Sequence, residues 1–526
     1  RSGSPAVRKS IMGAAASANE GAGSEDTFNY PPGIENSSVV DVKQPLLADS
    51  AVGVPYPEGA FDSTRPNETF LTKSKVFTKK ASNFTAVVNL CKCFVGAASF
   101  ELPWAFMKAG ILGSVLGLAC LAPMASYIFG VLTTCGHLGS ALPEWKAKQR
   151  LHPPTFPEIG DLALGVFGRV ITWIGLWAFT LGAVGTYFVF ISQAMASLTP
   201  LKDWQWLLII CPLVSVLSWL RSMRLLAPTS SLGLLALLFA IVVTSVDLIQ
   251  HGEYRSLDNY AWFRVKTYPS FIGNAAFLYL ISTAVLPIEQ GMREPKKFPY
   301  LFLMAAIFVT VLNLAFGMAA YLGYGDCEKL GLDSDDLGCT QGNVVDNLQP
   351  GITTKLVKIF LSLDLLFTGL VFLFPFNQAF EKEILGEREY IVKIGNAGFD
   401  MTPWLKNAMR TVVCICTAAV AKGVPIFSLM TDITGGIGCN FLAFILTPVF
   451  YVRLRGKTSG YWRKMTIYHF PLVFKWGPFA PVDPHLILIR SRMCEFVLLT
   501  LLFIFGWIVL ALTMNTFLRA LITGDY

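Results

Sequence analysis

Two apolar segments of the chain are interrupted in the same manner, and this shared interruption limits what the chain can fold into. The first segment, residues 89–103, has small residues over 96–99 and then a Leu-Pro pair. The second, residues 277–289, has Ser282 and Thr283 at its middle and again reaches Leu-Pro. In lipid, a helix is interrupted only where a cavity or a ligand takes up the freed backbone groups. Interrupted segments at matching positions of two halves predict a small-molecule binding site.

The composition places the chain in a membrane. Hydrophobic residues make up 53% of the chain and charged residues only 15%, whereas a soluble protein carries about a quarter charged residues. Charge-free stretches of about 20 residues are typical of spanning helices. Seven such stretches, together with apolar segments that carry few charges, give about eleven predicted spans. The sequence therefore predicts an all-α integral membrane protein with about 11 transmembrane helices. It excludes a soluble enzyme, and we expect no cofactor.

The order of these stretches divides the chain into five regions. Residues 1–80 are rich in Gly, Ala, Ser and Pro, which predicts a disordered cytosolic tail. Helices 1–5 are expected over 81–250 and helices 6–10 over 251–455. A cytosolic loop is expected over 456–490. The eleventh helix and a short outward C-terminus follow over 491–526.

The net charge of +7 is interpreted as a topology signal. Lys and Arg concentrate in the flanks on one side of the predicted helices, as the positive-inside rule expects of the cytosolic side. The N-terminus is then cytosolic and the C-terminus lies outside or in a lumen. The orientation of the chain in the lipid bilayer accounts for the excess of Lys and Arg over Asp and Glu. Nucleic acid is therefore not expected as a partner. A plasma membrane and a vacuolar or lysosomal membrane both remain open.

The longest outward loop is acidic and contains Cys327 and Cys339. An oxidising exterior favours a disulfide between them. The other cysteines lie in or near apolar helices, where cysteine acts as a small core residue. The pairs spaced two residues apart fall on different helix faces, so no metal site is expected.

The two interruptions offer complementary chemistry. The helix that resumes near Phe100 points its N-terminus into the first gap, and such an end attracts a carboxylate. The second gap, placed at 282–284, offers carbonyls and two hydroxyls that suit an ammonium group or a coupling cation. One anion site facing one cation site matches the common part of an amino acid. The residues predicted to bind substrate at the gaps are Gly96, Ala97, Ala98, Ser99, Phe100, Ser282 and Thr283. The alternative is a glycine-containing packing seam between helices.

Four charged residues lie within or beside the predicted spans, where charges are costly and usually functional. Glu101 and Asp364 are candidates for binding a coupling proton or holding an ammonium group, because burial favours the neutral form of a carboxyl group. Thr368 shares a helix face with Asp364 and is grouped with it. Lys92 and Glu289 are predicted to form a structural or gating ion pair. No histidine falls inside a predicted span, so a histidine relay is not expected.

Aromatic residues near the gaps could line the pocket. Tyr187, in a stretch of the third span that includes polar residues, is the first candidate, and Phe277 and Tyr279 join it. Packing in the core is the competing interpretation for each. Asp432 and Lys422 are interpreted as interfacial groups near an outer helix end.

Several short motifs occur together in a specific order. They are 92–96 with 102–106, Arg224-Leu-Leu-Ala-Pro228, Val285-Leu-Pro287 through Pro295, Phe374-Pro375 with Glu381, and Pro425 with 435–438. In this order they resemble the amino acid/auxin permease family, most closely its proton-coupled amino acid transporter branch. The resemblance implies the bacterial leucine transporter architecture, an inverted 5+5 repeat plus one helix. Substrate would bind between spans 1, 3, 6 and 8. Glu101 departs from the family, which usually has a small residue there.

Together these features predict a secondary active transporter of amino acids that works by proton symport and alternating access. An auxin-like or small-amine carrier and sodium coupling remain open alternatives. A membrane amino acid sensor that signals through residues 1–80 is the alternative of another class.

Overall fold

The structure is a computed structural model that describes residues 82–147, 153–220, 227–331, 339–386, 391–394, 397–459 and 490–523. The predicted tail over 1–80 and nearly all of the predicted loop over 456–490 lie outside these residues.

The described chain is helical almost throughout. Its first part consists of α1 (Asn83–Phe94), α2 (Ala97–Ala109), α3 (Ile111–Ala141), α4 (Pro143–Ala147), α5 (Phe156–Leu164), α6 (Val166–Ala196), α7 (Asp203–Ser218) and α8 (Ala227–His251). Its second part consists of α9 (Tyr268–Tyr279), α10 (Ser282–Gly291), α11 (Phe298–Tyr324), α12 (Cys327–Leu330), α13 (Ile352–Leu385), α14 (Thr402–Gly423), α15 (Phe427–Ile433), α16 (Thr447–Ser459) and α17 (Arg490–Thr523).

Shorter elements connect these helices. Single 3-10 turns occur at Leu257–Asn259, Pro295–Lys297 and Val344–Asn347. Two π-helical stretches, Thr434–Cys439 and Phe441–Leu446, continue α15 into α16. Strands β1 (Ile391–Ile394) and β2 (Ala397–Asp400) pair as an antiparallel hairpin with Ile391 opposite Asp400. This hairpin is a small addition that the all-α prediction did not contain.

Seven helical stretches of the described residues are long and apolar enough to cross a membrane. They are Ile111–Ala141, Val166–Ala196, Tyr268–Gly291, Pro295–Leu330, Ile352–Leu385, Phe427–Lys457 and Glu495–Ile522. The predicted count of eleven adds α1 with α2, α7, α8 and α14, which are interrupted, shorter or more polar. The all-α membrane fold is thus confirmed, and the count of eleven stays a prediction.

Glycines allow the helices to turn and approach where side chains would not fit. Gly110, between α2 and α3, has a φ of +80°, a region that other residues rarely adopt. A methyl group there would lie 2.7 Å from the carbonyl carbon of Trp262. The chain before α9 therefore packs directly onto the turn that follows α2.

Two groups of helices can be distinguished by their packing. In the first group, α2 packs on α9 and α11, and α3 packs on α9, α10 and α11. In the second group, α13 packs on α6 and α8, and α14 packs on α6 and α7. The interrupted helices thus belong to the first group.

Candidate functional site

The first interruption lies between α1 and α2. Residues Val95 and Gly96 separate the two helices, and Gly96 has an extended backbone with φ of −158°. No side chain caps the start of α2, so its first amides lack partners within the helix. A methyl group at Gly96 would meet no heavy atom within 4 Å. The interruption therefore adjoins open space, and α2 resumes at Ala97, three residues earlier than expected.

The second interruption lies upstream of its predicted position. Helix α9 ends at Tyr279 and α10 begins at Ser282, so the break falls on Leu280 and Ile281. The expectation of a break at 282–284 is wrong by about half a turn, because Ser282 and Thr283 form the first turn of α10. No side chain caps this helix either. The second gap thus presents both the last carbonyls of α9 and the first amides of α10.

The two interruptions are neighbours in space. Phe94 is the last residue of α1 and Tyr279 the last of α9, and the centroids of their rings lie 5.8 Å apart. Both helices therefore end at the same place in the bundle, as expected if the two gaps form one site.

Each helix that resumes after a gap carries a buried serine. Ser99 in α2 and Ser282 in α10 are each 1% exposed. Neither hydroxyl has a hydrogen-bond partner in the structure. Buried hydroxyl groups nearly always find a partner, so two such groups in matching positions indicate a place where a polar ligand binds.

A second polar cluster lies further along α2. Glu101 is 0% exposed, and neither of its carboxyl oxygens makes a hydrogen bond. Asn274 of α9 and Thr431 of α15 lie beside it, and Asp432 is within electrostatic reach. Asn274 is also fully buried, with both amide atoms unbonded. This cluster joins both interrupted helices to α15.

The placement of Asp432 corrects the sequence interpretation. Asp432 is not interfacial but 2% exposed, and it accepts a hydrogen bond from Ser270 of α9. Pro425, which precedes α15, is the sequence feature from which this placement could have been predicted. Because Pro425 separates α14 from α15, Asp432 falls inside the next membrane segment and not at the end of the previous one. Asn274, a lone amide in an apolar stretch, was missed as well.

The aromatic candidates have different surroundings. Phe100 is buried and packs edge-on against Phe316 of α11, 5.9 Å away. The hydroxyl of Tyr279 contacts that of Thr310 in α11. Both side chains thus fill the core beside the gaps. Phe277 is half-buried, and its backbone amide lies against Gly435.

Tyr187 lies between the first gap and α13. Its ring is 6.2 Å from that of Phe372, and Cys93, next to the last residue of α1, is within electrostatic reach of its hydroxyl. Asp364 is also in reach. The carboxyl group of Asp364 packs directly on Gly233 of α8. Thr368 donates to Asp364 over 3.4 Å. Asp364 and Thr368 therefore share a face, as expected, but that face turns toward α8.

At the other end of α10, Glu289 contacts a histidine. The Nε2 atom of His137 lies 2.9 Å from Oε1 of Glu289. His137 belongs to α3, so one histidine does lie within a long apolar helix, contrary to expectation. The side chain of Lys92, the predicted partner of Glu289, lies outside the described residues.

The structure joins Cys327 and Cys339 in a disulfide. Within the part of the chain that the structure describes, no group of three His, Cys, Asp or Glu residues could hold a metal ion.

Comparison with known proteins assigns the family. Residues 79–475 match the family described as transmembrane amino acid transporter protein. The chain belongs to this family. It is the amino acid/auxin permease family that the motifs indicated, so the protein is a member of a transporter family and not an enzyme.

Individual relatives are distant but cover most of the helical region. Amino acid transporter ANT1 of Arabidopsis thaliana is 26% identical over 398 residues, which are 73% of this chain and 88% of the relative. Amino acid transporter AVT3B of the same plant is 24% identical over 71% of this chain and 85% of its own. Vacuolar amino acid transporter 4 of Saccharomyces cerevisiae is 22% identical over 71% of this chain and 53% of its own.

Proposed function

We propose that the protein is a secondary active transporter that carries an amino acid together with a proton by alternating access. The observation that supports this most is the pair of neighbouring gaps, marked by the 5.8 Å contact between Phe94 and Tyr279. Each gap is followed by an uncapped helix N-terminus and a buried serine without a partner. The names of the relatives, which are amino acid transporters, support the same substrate class.

The substrate would be held by its shared α-carboxyl and α-amino groups. The carboxylate binds the first amides of α2 and the hydroxyl of Ser99, because a helix N-terminus favours negative charge. The ammonium group binds carbonyls at the end of α9 that the gap leaves open, since those of Ala276 and Tyr279 already accept from the amides of Leu280 and Ile281. The hydroxyl of Ser282 completes the second side. Tyr187 borders the site from α6.

Alternating access would come from movement between the two packed groups of helices. The gaps belong to the group formed by α2, α9 and α11, and Tyr187 of α6, in the second group, is within electrostatic reach of Cys93 beside the first gap. Rocking one group against the other opens the site first to one side and then to the other. The yeast relative's name supports a vacuolar membrane as one location. The concentration of Lys and Arg on one side of the predicted helices supports a cytosolic N-terminus.

The test is transport by the purified protein in liposomes, with each of the twenty amino acids supplied under imposed pH and sodium gradients. We expect at least one amino acid to accumulate down an inward proton gradient. A protonophore should abolish this accumulation, and replacing sodium with choline should leave it unchanged. Liposomes without protein are the control.

Three results would contradict the proposal. Accumulation that needs sodium but no pH gradient would indicate sodium symport. Accumulation of auxin-like acids or small amines, without competition by amino acids, would replace the substrate class. Binding of an amino acid without any flux would favour the sensor.

A further inference from the structure

Glu101 and Asp432 are two acidic residues buried in one cluster, on helices that belong to different parts of the fold. Glu101 lies on α2 and Asp432 on α15, and they are 0% and 2% exposed. Helix α9 lies between them: Asn274 is beside Glu101, and Ser270 is bonded to Asp432. Two carboxyl groups that share a buried site cannot both be ionised without a large cost.

The hydrogen-bond directions indicate which acid holds the proton. The hydroxyl of Thr431 donates to the carbonyl of Phe427 over 2.9 Å. A threonine has a single donor, so while it donates to Phe427 it can only accept from Glu101. A carboxylate cannot donate, whereas a protonated carboxyl group can. While Thr431 donates to Phe427, a hydrogen bond between Glu101 and Thr431 requires a protonated Glu101.

Asp432 has the opposite preference. Ser270 donates its hydroxyl to a carboxyl oxygen of Asp432, which favours the ionised form. Asn274 supplies an amide N–H that can donate to the second oxygen of Glu101. Both of its amide atoms are otherwise unbonded although the residue is fully buried. The hydrogen-bonding groups of the cluster therefore suit a protonated Glu101 beside an ionised Asp432.

The charged groups around the cluster fit this distribution. Lys108 lies two turns further along α2 and is within electrostatic reach of Asp432. The described residues of α9 and α11, which pack on α2, contain no Asp, Glu, Lys or Arg. In α6, which packs on α15, the only such residue is Arg169, near the opposite end. Arg519 of α17 is exposed.

We propose that Glu101 and Asp432 form one proton-binding site, and that this site carries the coupling proton. The inference rests on the proposed proton-coupled transport. The pair holds one proton while α2 and α15 are packed together through α9. When movement separates α2 from α15, water reaches both carboxyl groups. The proton then leaves Glu101 for water on that side, and both acids are ionised until the helices close again.

The experiment compares two kinds of transport by variants in liposomes. Accumulation down a proton gradient needs a proton to bind and leave, whereas exchange of labelled for unlabelled amino acid does not. Glutamine at 101 can donate to Thr431 and accept from Asn274, so it imitates the protonated acid. We expect Glu101→Gln to keep exchange and to lose accumulation, and Asp432→Asn to do the same. Exposed Glu144→Gln is the matched control and should keep both.

A second pair of variants tests the hydrogen bond without removing a charge. Thr431→Val removes the acceptor and should shift the pH profile of uptake toward acid, since the protonated form of Glu101 loses a partner. Thr431→Ser keeps the hydroxyl and should leave the profile in place. The melting temperature of each variant is measured beside the profile, and a shifted profile at an unchanged Tm is not explained by a purely structural role of Thr431.

The outcomes separate this inference from the proposed function. If wild type does not accumulate amino acid down a proton gradient, both fail. If wild type accumulates amino acid and the Glu101→Gln or the Asp432→Asn variant accumulates it as well, the shared site is wrong and the proposed function stands. If Glu101→Gln and Thr431→Val do not fold, the Asp432→Asn variant decides. Exchange without accumulation in that variant supports the site, and retained accumulation overturns it.

Discussion

The rings of Phe94 and Tyr279 lie 5.8 Å apart although the residues are far apart in the chain. Each closes the first half of an interrupted helix, so this contact brings the two gaps together. Phe94 also packs on Phe302 of α11, 5.0 Å away. The gaps are therefore framed by a packed aromatic group, which holds the ends of α1 and α9 in place while the backbone beyond them remains open.

The first prediction concerns Ser99 at the start of α2. We expect Ser99→Leu to abolish amino acid binding without unfolding the protein, because the larger side chain fills the gap. Ser99→Ala removes only the hydroxyl and should weaken binding about fivefold, the effect of losing one hydrogen bond of about 1 kcal/mol. Binding of labelled amino acid to purified protein measures both. Wild-type affinity in Ser99→Leu would remove Ser99 from the site.

The second prediction concerns the contact between α9 and α15. A methyl group at Gly273 would lie 2.6 Å from the carbonyl oxygen of Asp432. Gly273→Ala should therefore destabilise the fold by about 1–3 kcal/mol, as overpacking does. At Gly96 a methyl group meets no atom within 4 Å and the backbone is extended. Gly96→Ala is thus the matched control, and its thermal unfolding in detergent should stay near that of wild type. Equal Tm values for the two variants would contradict the close contact.

The third prediction concerns a buried ion pair in the second helical group. Arg410 of α14 binds Glu381 of α13. It also donates to the carbonyls of Ser218, the last residue of α7, and of Leu220 just beyond it. Arg410→Ala should destabilise the protein by about 3–5 kcal/mol, because it leaves a buried carboxylate without its partner.

The control for Arg410 is Lys297, whose pair with Glu294 is exposed. Lys297→Ala should leave Tm unchanged in the same melting experiment. A Tm for Arg410→Ala equal to that of wild type would show that the pair does not hold α7, α13 and α14 together.

The fourth prediction concerns the disulfide between Cys327 and Cys339. Cys327 and Cys339 are separated by 12 positions, and closing a loop of this size stabilises a fold by about 3 kcal/mol in the chain-entropy description. Cys327→Ser should therefore lower Tm, and the double Cys327→Ser, Cys339→Ser variant should lower it no further. A thiol reagent should label the loop only after reduction. An additional drop in the double variant would show that the two cysteines act separately.

Much of the architecture was predictable because lipid leaves few choices. A membrane span must satisfy its backbone internally, so charge-free segments predicted the helices. The two interruptions were identifiable because Gly and hydroxyl residues before Leu-Pro stand out in such segments. The position of the second gap did not follow from the sequence, which placed the gap at 282–284 and not at Leu280 and Ile281. Which residue ends a helix depends on tertiary packing, here the contact of Tyr279 with Phe94 and Thr310.

The site's polar partners could not be predicted in the same way. The sequence indicated that Glu101 was costly to bury and therefore functional, yet it did not indicate what lies beside it. From the sequence, Asp432 is expected to be interfacial, no histidine is expected inside a span, and nothing singles out Asn274. Such pairings depend on which helix faces meet, and that is fixed by glycine contacts such as Gly273 with Asp432.

The sequence by itself determined that this protein spans a membrane, that two of its helices are interrupted, and to which family it is similar. Those properties follow from local composition and from the need of every backbone group in lipid for a partner. Only the tertiary structure decided that the two interruptions adjoin, that Asp432 is buried near Glu101, and that Glu289 contacts His137. Contacts between distant segments depend on the packing of whole helices, which no single stretch of sequence encodes.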